Sequence, residues 1–485
     1  MISLTWIPKA AHKPYNILVA YMSGAPVLSL RERLKLDEFI ERLYTGPQIG
    51  YTCYNIFPGT SVVRGLTINV LNTSVDQFLN IPYAEPPVRD LRFTKPQPLK
   101  APKKDIIDGT KPGNSCMQIP EPETENSRSP TESPLKAVMF WIYGGGLSSG
   151  SIFDTQYNGS ILATYDVVFV SANYRLGPFG YLYGGDVSAP GNMGFFDQLL
   201  ALKWVRENIH VFGGDRNLIT IFGESAGSWS VSAHIISPLT RGLFKRAIMQ
   251  SGAHMYSKDR DVISKSEALT KAKHMAQQLN CSDADDWLRC LRGVGAHEFL
   301  NFETSLTFPV LGTEYLTLSA QQAFMDNKFN SDIDLMAGIN RDEGSDLLEA
   351  ITPTHIDNMT VEDFTNNVLK IDKIYHGINT ESVSDFYLRG VNVSNPGALR
   401  WALYDFFGDL FMKCPTYLFA KQLTTMVQMR QNVYFYELTY ENPLLAKEFG
   451  CDPITMGICH GMDLLFVFGI PFTVEKQWAP EDYLL

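Results

Sequence analysis

The stretch that most constrains this chain is Gly223-Glu224-Ser225-Ala226-Gly227, set between two patterned runs. Asn217 to Phe222 (NLITIF) reads as a short buried strand and leads straight into the first glycine. Ala226 to Ile236 is small and apolar, and continues as a helix. A strand that turns into a helix within about one residue needs small neighbours on both sides. Such a turn thrusts the serine oxygen clear of the backbone, at a helix N-terminus whose dipole favours developing negative charge. A bare G-x-S-x-G arises by chance in roughly a fifth of chains this long, so the flanking strand and helix carry the assignment. Ser225 is therefore a candidate nucleophile.

The neighbouring segments extend the pattern. Ala137 to Tyr143 (AVMFWIY) and Asp166 to Tyr174 (DVVFVSANY) are further apolar runs of strand length. Phe195 to Ile209 reads as a helix with Leu199, Leu202, Val205 and Ile209 turned inward, broken by Gly213 and Gly214. Buried strands alternating with amphipathic helices imply an α/β protein with a large, mostly parallel sheet covered on both faces. Upstream, Ser61 to Asn72 and Val75 to Pro87 read as short strands, closed by Pro86 and Pro87. Residues 1–58 have a different texture and are expected to form an extension, with an amphipathic helix over Arg31 to Tyr44. Residues 120–134 are polar and Pro-rich, as in an exposed loop.

Composition narrows the function. The net charge of −11 argues against a nucleic-acid partner, which calls for a basic face. No apolar run reaches the ~18 residues of a membrane span. The start, MISLTWIPKAAHKPYNILVAYMSG, makes a poor signal peptide because Pro8, Lys9, Lys13 and Pro14 interrupt it. Two readings of it stand: a cytosolic chain, or a mis-assigned first exon. Sequons at Asn72, Asn158, Asn280, Asn358 and Asn392 permit a secretory route, with roughly three expected by chance. The seven cysteines include no C-x-x-C pair, which argues against common zinc and thioredoxin-type sites.

A nucleophilic serine needs oxyanion donors and a base. Tyr143-Gly144-Gly145-Gly146 follows a strand directly, so the N–H groups of Gly145 and Gly146, with that of Ala226, can converge on one point. Of nine histidines, only His355, His376 and His460 follow a plausible acid in the order Ser, acid, His. His460 lies in a loop before an apolar segment, whereas His355 and His376 lie in polar stretches. For the acid, a short apolar strand ending in Asp342-Glu343-Gly344 is suited, and spacing does not separate Asp342 from Glu343.

Several longer segments, taken together, resemble the type-B carboxylesterase/cholinesterase family of α/β-hydrolases. They include FLNIPYAEPPVRDLRF (78–93), FWIYGGGLSSGS (140–151), SANYRLGPFGYL (171–182), FGGDRNLITIFGESAGSWSV (212–231), GINRDEGS (338–345) and HGMDLLFVFG (460–469). The resemblance runs from about residue 59 to about residue 472, within a hydrolase domain taken as 59–485. It implies an α/β-hydrolase fold and a carboxylic ester hydrolase using Ser225, Glu343 and His460, with Gly145, Gly146 and Ala226 as oxyanion donors. It favours Glu343 over Asp342. It also implies a small ester substrate, no metal or organic cofactor, a Cys281–Cys290 disulfide and a secreted or extracellular location. Tyr143 before the glycines is similar to the cholinesterase branch. The family also holds adhesion proteins that keep the fold without catalysis, which makes a binding role, or an inactive truncated isoform, the alternative.

The departures carry information too. A strand of the type S-E-D-C-L-Y-L-N-[VI]-W, normal for the family, is absent between Cys116 and Ala137. With it goes the tryptophan that would hold a quaternary ammonium, since no tryptophan lies between Trp6 and Trp141. Glu303 and Ser305 stand near positions expected to be aromatic, implying a roomier or more polar acyl pocket. The chain ends at Leu485, soon after the His460 segment, so a C-terminally truncated or alternatively spliced form is expected. Loss of a strand is expected to impair folding, because domains are stable by only ~5–15 kcal/mol. Cys116 and Cys414 are expected to lack partners, whereas Cys451 and Cys459 are either paired or free.

Overall fold

A computed structural model describes residues 50–56, 61–99, 106–118, 135–255, 262–281, 286–302, 307–351, 358–427, 430–442, 446, 450–472 and 482. The expected helix over Arg31 to Tyr44, the 120–134 loop, His355, Glu303 and Ser305 lie outside these residues.

Strands β1 (Gly50–Ile56), β2 (Ser61–Val70), β3 (Thr73–Gln77) and β4 (Ile107–Asp108) form a small sheet. Here β1-β2-β3 are antiparallel and β4 runs parallel to β2. The strand expected over Val75 to Pro87 stops at Gln77. Asn80 then adopts a positive φ of 52°, and the prolines beyond it cannot donate to a ladder.

Among the described residues the main sheet has six strands: β5 (Lys136–Ile142), β6 (Val167–Ser171), β7 (Gly214–Glu224), β8 (Arg246–Gln250), β9 (Asp334–Asn340) and β10 (Val433–Leu438). Their order is β10-β9-β8-β7-β5-β6, and every neighbouring pair is parallel. Val138, Phe140, Ile142, Ile219, Ile221, Ala247, Met249, Leu335 and Ala337 are buried. Near-continuous apolar strands of this kind are what helices on both faces demand. The expected helix is α1 (Met193–Asn208), and the helix after Ser225 is α2 (Ala226–Ile236). Gly213 caps the turn after α1 at φ 80°, while Gly214 begins β7 rather than ending a helix.

All of α2 is buried against β7 and β8, including its polar residues. Those residues are satisfied internally, as burial requires. Ser228 Oγ–H donates to Gly252 O at 2.5 Å, Ser230 Oγ–H to Ala226 O at 2.9 Å, and Ser232 Oγ–H to Trp229 O at 2.7 Å. His234 lies between Gln198 Oε1, 3.0 Å from Nε2, and the Tyr315 hydroxyl, 2.6 Å from Nδ1. A neutral ring satisfies both: Nε2–H donates and Nδ1 accepts. Burial pushes this imidazole down to about 3.

Behind the glycine loop, Arg175 and Asp197 form a buried bidentate pair at 2.7 and 2.8 Å. Arg175 Nη1 also donates to Thr94 O at 2.8 Å, tying the segment between β3 and β4 to α1.

A cavity of about 920 Å³ runs beside β6, walled by Val75 to Pro87, Ile152 to Ser160, Trp204 and Phe212. Ser225, Glu343 and His460 are not among its walls. Among the described residues, β6 pairs only with β5.

Candidate active site

The register of the main sheet brings four strand ends together. Ile142 pairs with Gly223, Glu224 with Gln250, and Gln250 with Gly338, two residues before the end of β9. The carboxyl ends of parallel strands are where open α/β sheets place ligands.

Ser225 follows β7 with φ 55° and ψ −124°, a conformation costing about 1–3 kcal/mol for a residue with a side chain. The surroundings hold it there. Its N–H donates to Gln250 O at 2.9 Å, and its carbonyl accepts from Trp229 N at 2.9 Å. A Cβ on Gly227 would sit 2.0 Å from Ile142 O, and one on Gly223 would sit 2.6 Å from the same atom. Only glycine permits β5 and the turn to approach so closely.

Tyr143 and Tyr174 anchor the glycine loop by stacking at 4.4 Å, with Tyr174 O–H donating to Tyr143 O at 2.7 Å. Gly145 and Gly146 take φ values of 94° and 62°. The Gly145 carbonyl is occupied by Ser148 N and Ser149 N. Among the described residues, the N–H groups of Gly145 and Gly146 donate no hydrogen bond. That of Ala226, in the first turn of α2, has no acceptor within the helix.

Glu343 and His460 are brought into direct contact: His460 Nδ1–H donates to Glu343 Oε2 at 2.6 Å. Glu343 is fully buried, and its Oε1 accepts from Asn340 N at 2.6 Å and Ser251 Oγ at 2.5 Å. Asp342, the other candidate acid, faces elsewhere and accepts from Ile458 N at 2.8 Å. With Nδ1–H committed to Glu343, a neutral His460 carries its lone pair on Nε2. That atom lies 3.1 Å from Glu224 Oε1 and, among the described residues, makes no well-aligned hydrogen bond. Ser225 is thus not joined to His460 by a hydrogen bond in this geometry. His376, exposed, ends a helix.

The electrostatics follow from burial. Burial opposes charging of His460, but Glu224 and Glu343 outweigh it and raise the imidazole. Burial raises Glu224, against the pull of His460. Burial likewise raises Asp346, whose Oδ1 accepts the His460 N–H at 3.2 Å. It raises Asp463 as well, although Gln250 and Tyr436 donate to that carboxylate at 2.8 and 2.7 Å. Glu224, Ser251, Asn340, Asp346 and Asp463 were not singled out in the sequence. Glu224, Asn340, Asp346 and Asp463 lie within or beside a motif segment and Ser251 follows β8, but only the strand register aims them at the site.

Among the described residues two disulfides are formed, Cys281–Cys290 and Cys451–Cys459, and Cys116 and Cys414 are free. Asn72, Asn280, Asn358 and Asn392 are exposed. Asn158 is half-buried, with its Oδ1 accepting from Ser160 N at 3.0 Å. No helix among the described residues is long and apolar enough to cross a membrane.

A parallel sheet, a serine on a strained strand-to-helix turn and a buried carboxylate–imidazole pair define an α/β-hydrolase. The chain belongs to the carboxylesterase family, whose pattern it matches over residues 58–485. It is 35% identical to a cholinesterase of Mus musculus, over 85% of this chain and 73% of that one. It is 31% identical to an acetylcholinesterase of Bungarus fasciatus, over 89% and 77%. It is 30% identical to acetylcholinesterase 4 of Caenorhabditis briggsae, over 87% and 77%.

Proposed function

We propose that this chain hydrolyses carboxylic esters through an acyl-enzyme on Ser225. The observation that carries the reading is the 2.6 Å bond from His460 Nδ1 to the buried Glu343 carboxylate, beside the strained Ser225 turn. His460 Nε2 takes the Ser225 hydroxyl proton as Oγ attacks the ester carbonyl. Glu343 holds the ring in register and stabilises the imidazolium. The N–H groups of Gly145, Gly146 and Ala226 receive the oxyanion, each worth about 2.7–4 kcal/mol in the transition state. The imidazolium then protonates the departing alkoxide, and water reverses the steps. For the first transfer, Nε2 must turn from Glu224 to Ser225, as catalytic hydrogen bonds often form only once substrate is bound.

The catalytic body corresponds to residues 59–485, with residues 1–58 as an extension. The two disulfides support an oxidising compartment and thus a secreted or extracellular location. The substrate is a small carboxylic ester, and a choline ester is the less favoured one, because the tryptophan that the family resemblance places before Trp141 to face a quaternary ammonium is missing between Trp6 and Trp141.

The test is incubation with an aryl ester, a choline ester and a serine-reactive phosphonate. One adduct on Ser225, absent in Ser225→Ala, with turnover of the aryl ester, is the expected result. A folded protein that neither labels nor turns over either ester refutes the reading.

A further inference from the structure

Among the described residues, His460 is tied to the large core only from its C-terminal side, through Leu464 and Phe468. It directly follows Cys459, and the segment around it packs into a separate small cluster of Ala446, Cys451, Met456, Ile458, Cys459, Met462 and Leu465. So small an apolar cluster gives the base little support of its own. Cross-links and polar contacts supply the rest, and they converge on the two cysteines.

The Cys451–Cys459 bridge closes the loop that delivers His460, with the two Cα atoms 6.2 Å apart. At its far end, Cys451 N donates to Ala446 O at 2.8 Å. At its near end, Cys459 O accepts from Asn340 Nδ2 at 2.9 Å, and Ser345 Oγ lies 3.3 Å from Cys459 Sγ. Between them, Gly457 takes φ 71°, and a Cβ there would fall 2.1 Å from Asp342 Oδ2. Asp342 and Ile458 exchange two bonds, Asp342 N to Ile458 O at 3.1 Å and Ile458 N to Asp342 Oδ2 at 2.8 Å. The bridge therefore presses its loop onto the Asn340–Asp346 turn that also carries Glu343. The other bridge, Cys281–Cys290, packs with Phe93, Met275, Leu288 and Phe299 in a cluster that holds none of the proposed catalytic residues.

We propose that Cys451–Cys459 is a positioning cross-link for His460, so that its reduction by a dithiol turns off ester hydrolysis while the body of the fold stands. This rests on the reading of His460 as the base. In the reduction, one thiolate of the dithiol attacks a bridge sulfur and forms a mixed disulfide. Its second thiol then displaces the protein sulfur. The reagent leaves as a cyclic disulfide, having delivered two electrons and two protons to two cysteine thiols.

The experiment compares oxidised wild type, wild type reduced with dithiothreitol and reoxidised, Cys451→Ser/Cys459→Ser and Cys281→Ser/Cys290→Ser. Oxidised wild type is assayed first with the aryl ester and the phosphonate, and its inactivity would refute the hydrolase reading alone. Given activity, the Cys451/Cys459 variant should lose at least about tenfold in kcat with KM changed less than about threefold, because orientation of the base is lost rather than binding. Its kcat/KM pH profile should shift, since the carboxylates around His460 no longer hold the ring. The Cys281/Cys290 variant should keep the wild-type profile. Reduced wild type should lose activity and regain it on reoxidation, a readout independent of how well the variants fold. Cys451/Cys459 thiols confirmed by mass, with kcat within twofold of wild type and an unmoved profile, overturn the proposal.

Discussion

Replacing Glu224 with glutamine removes a carboxylate oxygen 3.1 Å from the nitrogen proposed to accept the serine proton, while keeping the side chain's shape. At that separation the attraction between carboxylate and imidazolium is at most about 5 kcal/mol with an effective dielectric near 20. Only part of it is realised in the wild type, because burial raises Glu224 itself, to about 8, so that it gains its charge mainly on the alkaline side of neutrality. The remaining pull still favours the charged ring. Without it, the His460 pKa falls and the free base becomes available at lower pH. The acidic limb of kcat/KM should therefore move down by about one to two units, or about 1.4–2.7 kcal/mol. The assay is kcat/KM for a neutral aryl ester from about pH 5 to pH 9, since this parameter reports the free enzyme. A limb that stays within about 0.3 unit, or moves upward, refutes the claim that Glu224 holds the proton on His460.

Two further predictions concern stability. Asp197→Asn leaves the Arg175 guanidinium buried without its partner and should cost about 3–5 kcal/mol, read as a lower urea midpoint at an unchanged slope; a loss under about 1 kcal/mol contradicts it. His234 is depressed to about 3 by burial, from an ordinary value of 6.5. Between those values the unfolded chain binds a proton that the folded one does not, so stability falls as pH falls, by up to about 1.4 kcal/mol per unit. His234→Gln should flatten that dependence in urea titrations at two pH values, and an unchanged slope sinks it.

The elements around Ser225 were legible because each has a strong local signature. The periods of β5, α1, β7 and α2 are set by burial on both faces, and the glycines mark where backbones must nearly touch. Asp342 and Glu343 were not separable from the residues alone, because they share one turn. The fold parts them, sending Glu343 to the His460 ring and Asp342 to the Ile458 N–H. Glu224 lay in plain view within the pentapeptide. Its role depends on Gly144, whose missing Cβ leaves room for the carboxylate across the strand, and that is a fact of register. The Cys451–Cys459 pairing was open for a similar reason: adjacency in sequence fixes the reach of two thiols, not their direction. The segment after Gln77 was misread as strand because apolar alternation outlasted the ladder.

Among the described residues, β6 is the outer strand of the main sheet. Edge strands are usually guarded by lysine, proline or a bulge, but Val167–Ser171 carries none of these. Its guard is depth: the five residues are half-buried beside the 920 Å³ cavity. Among the described residues the edge is thus screened by the segments from Val75 to Pro87 and from Tyr157 to Ser160, and it stays screened only while they hold their place.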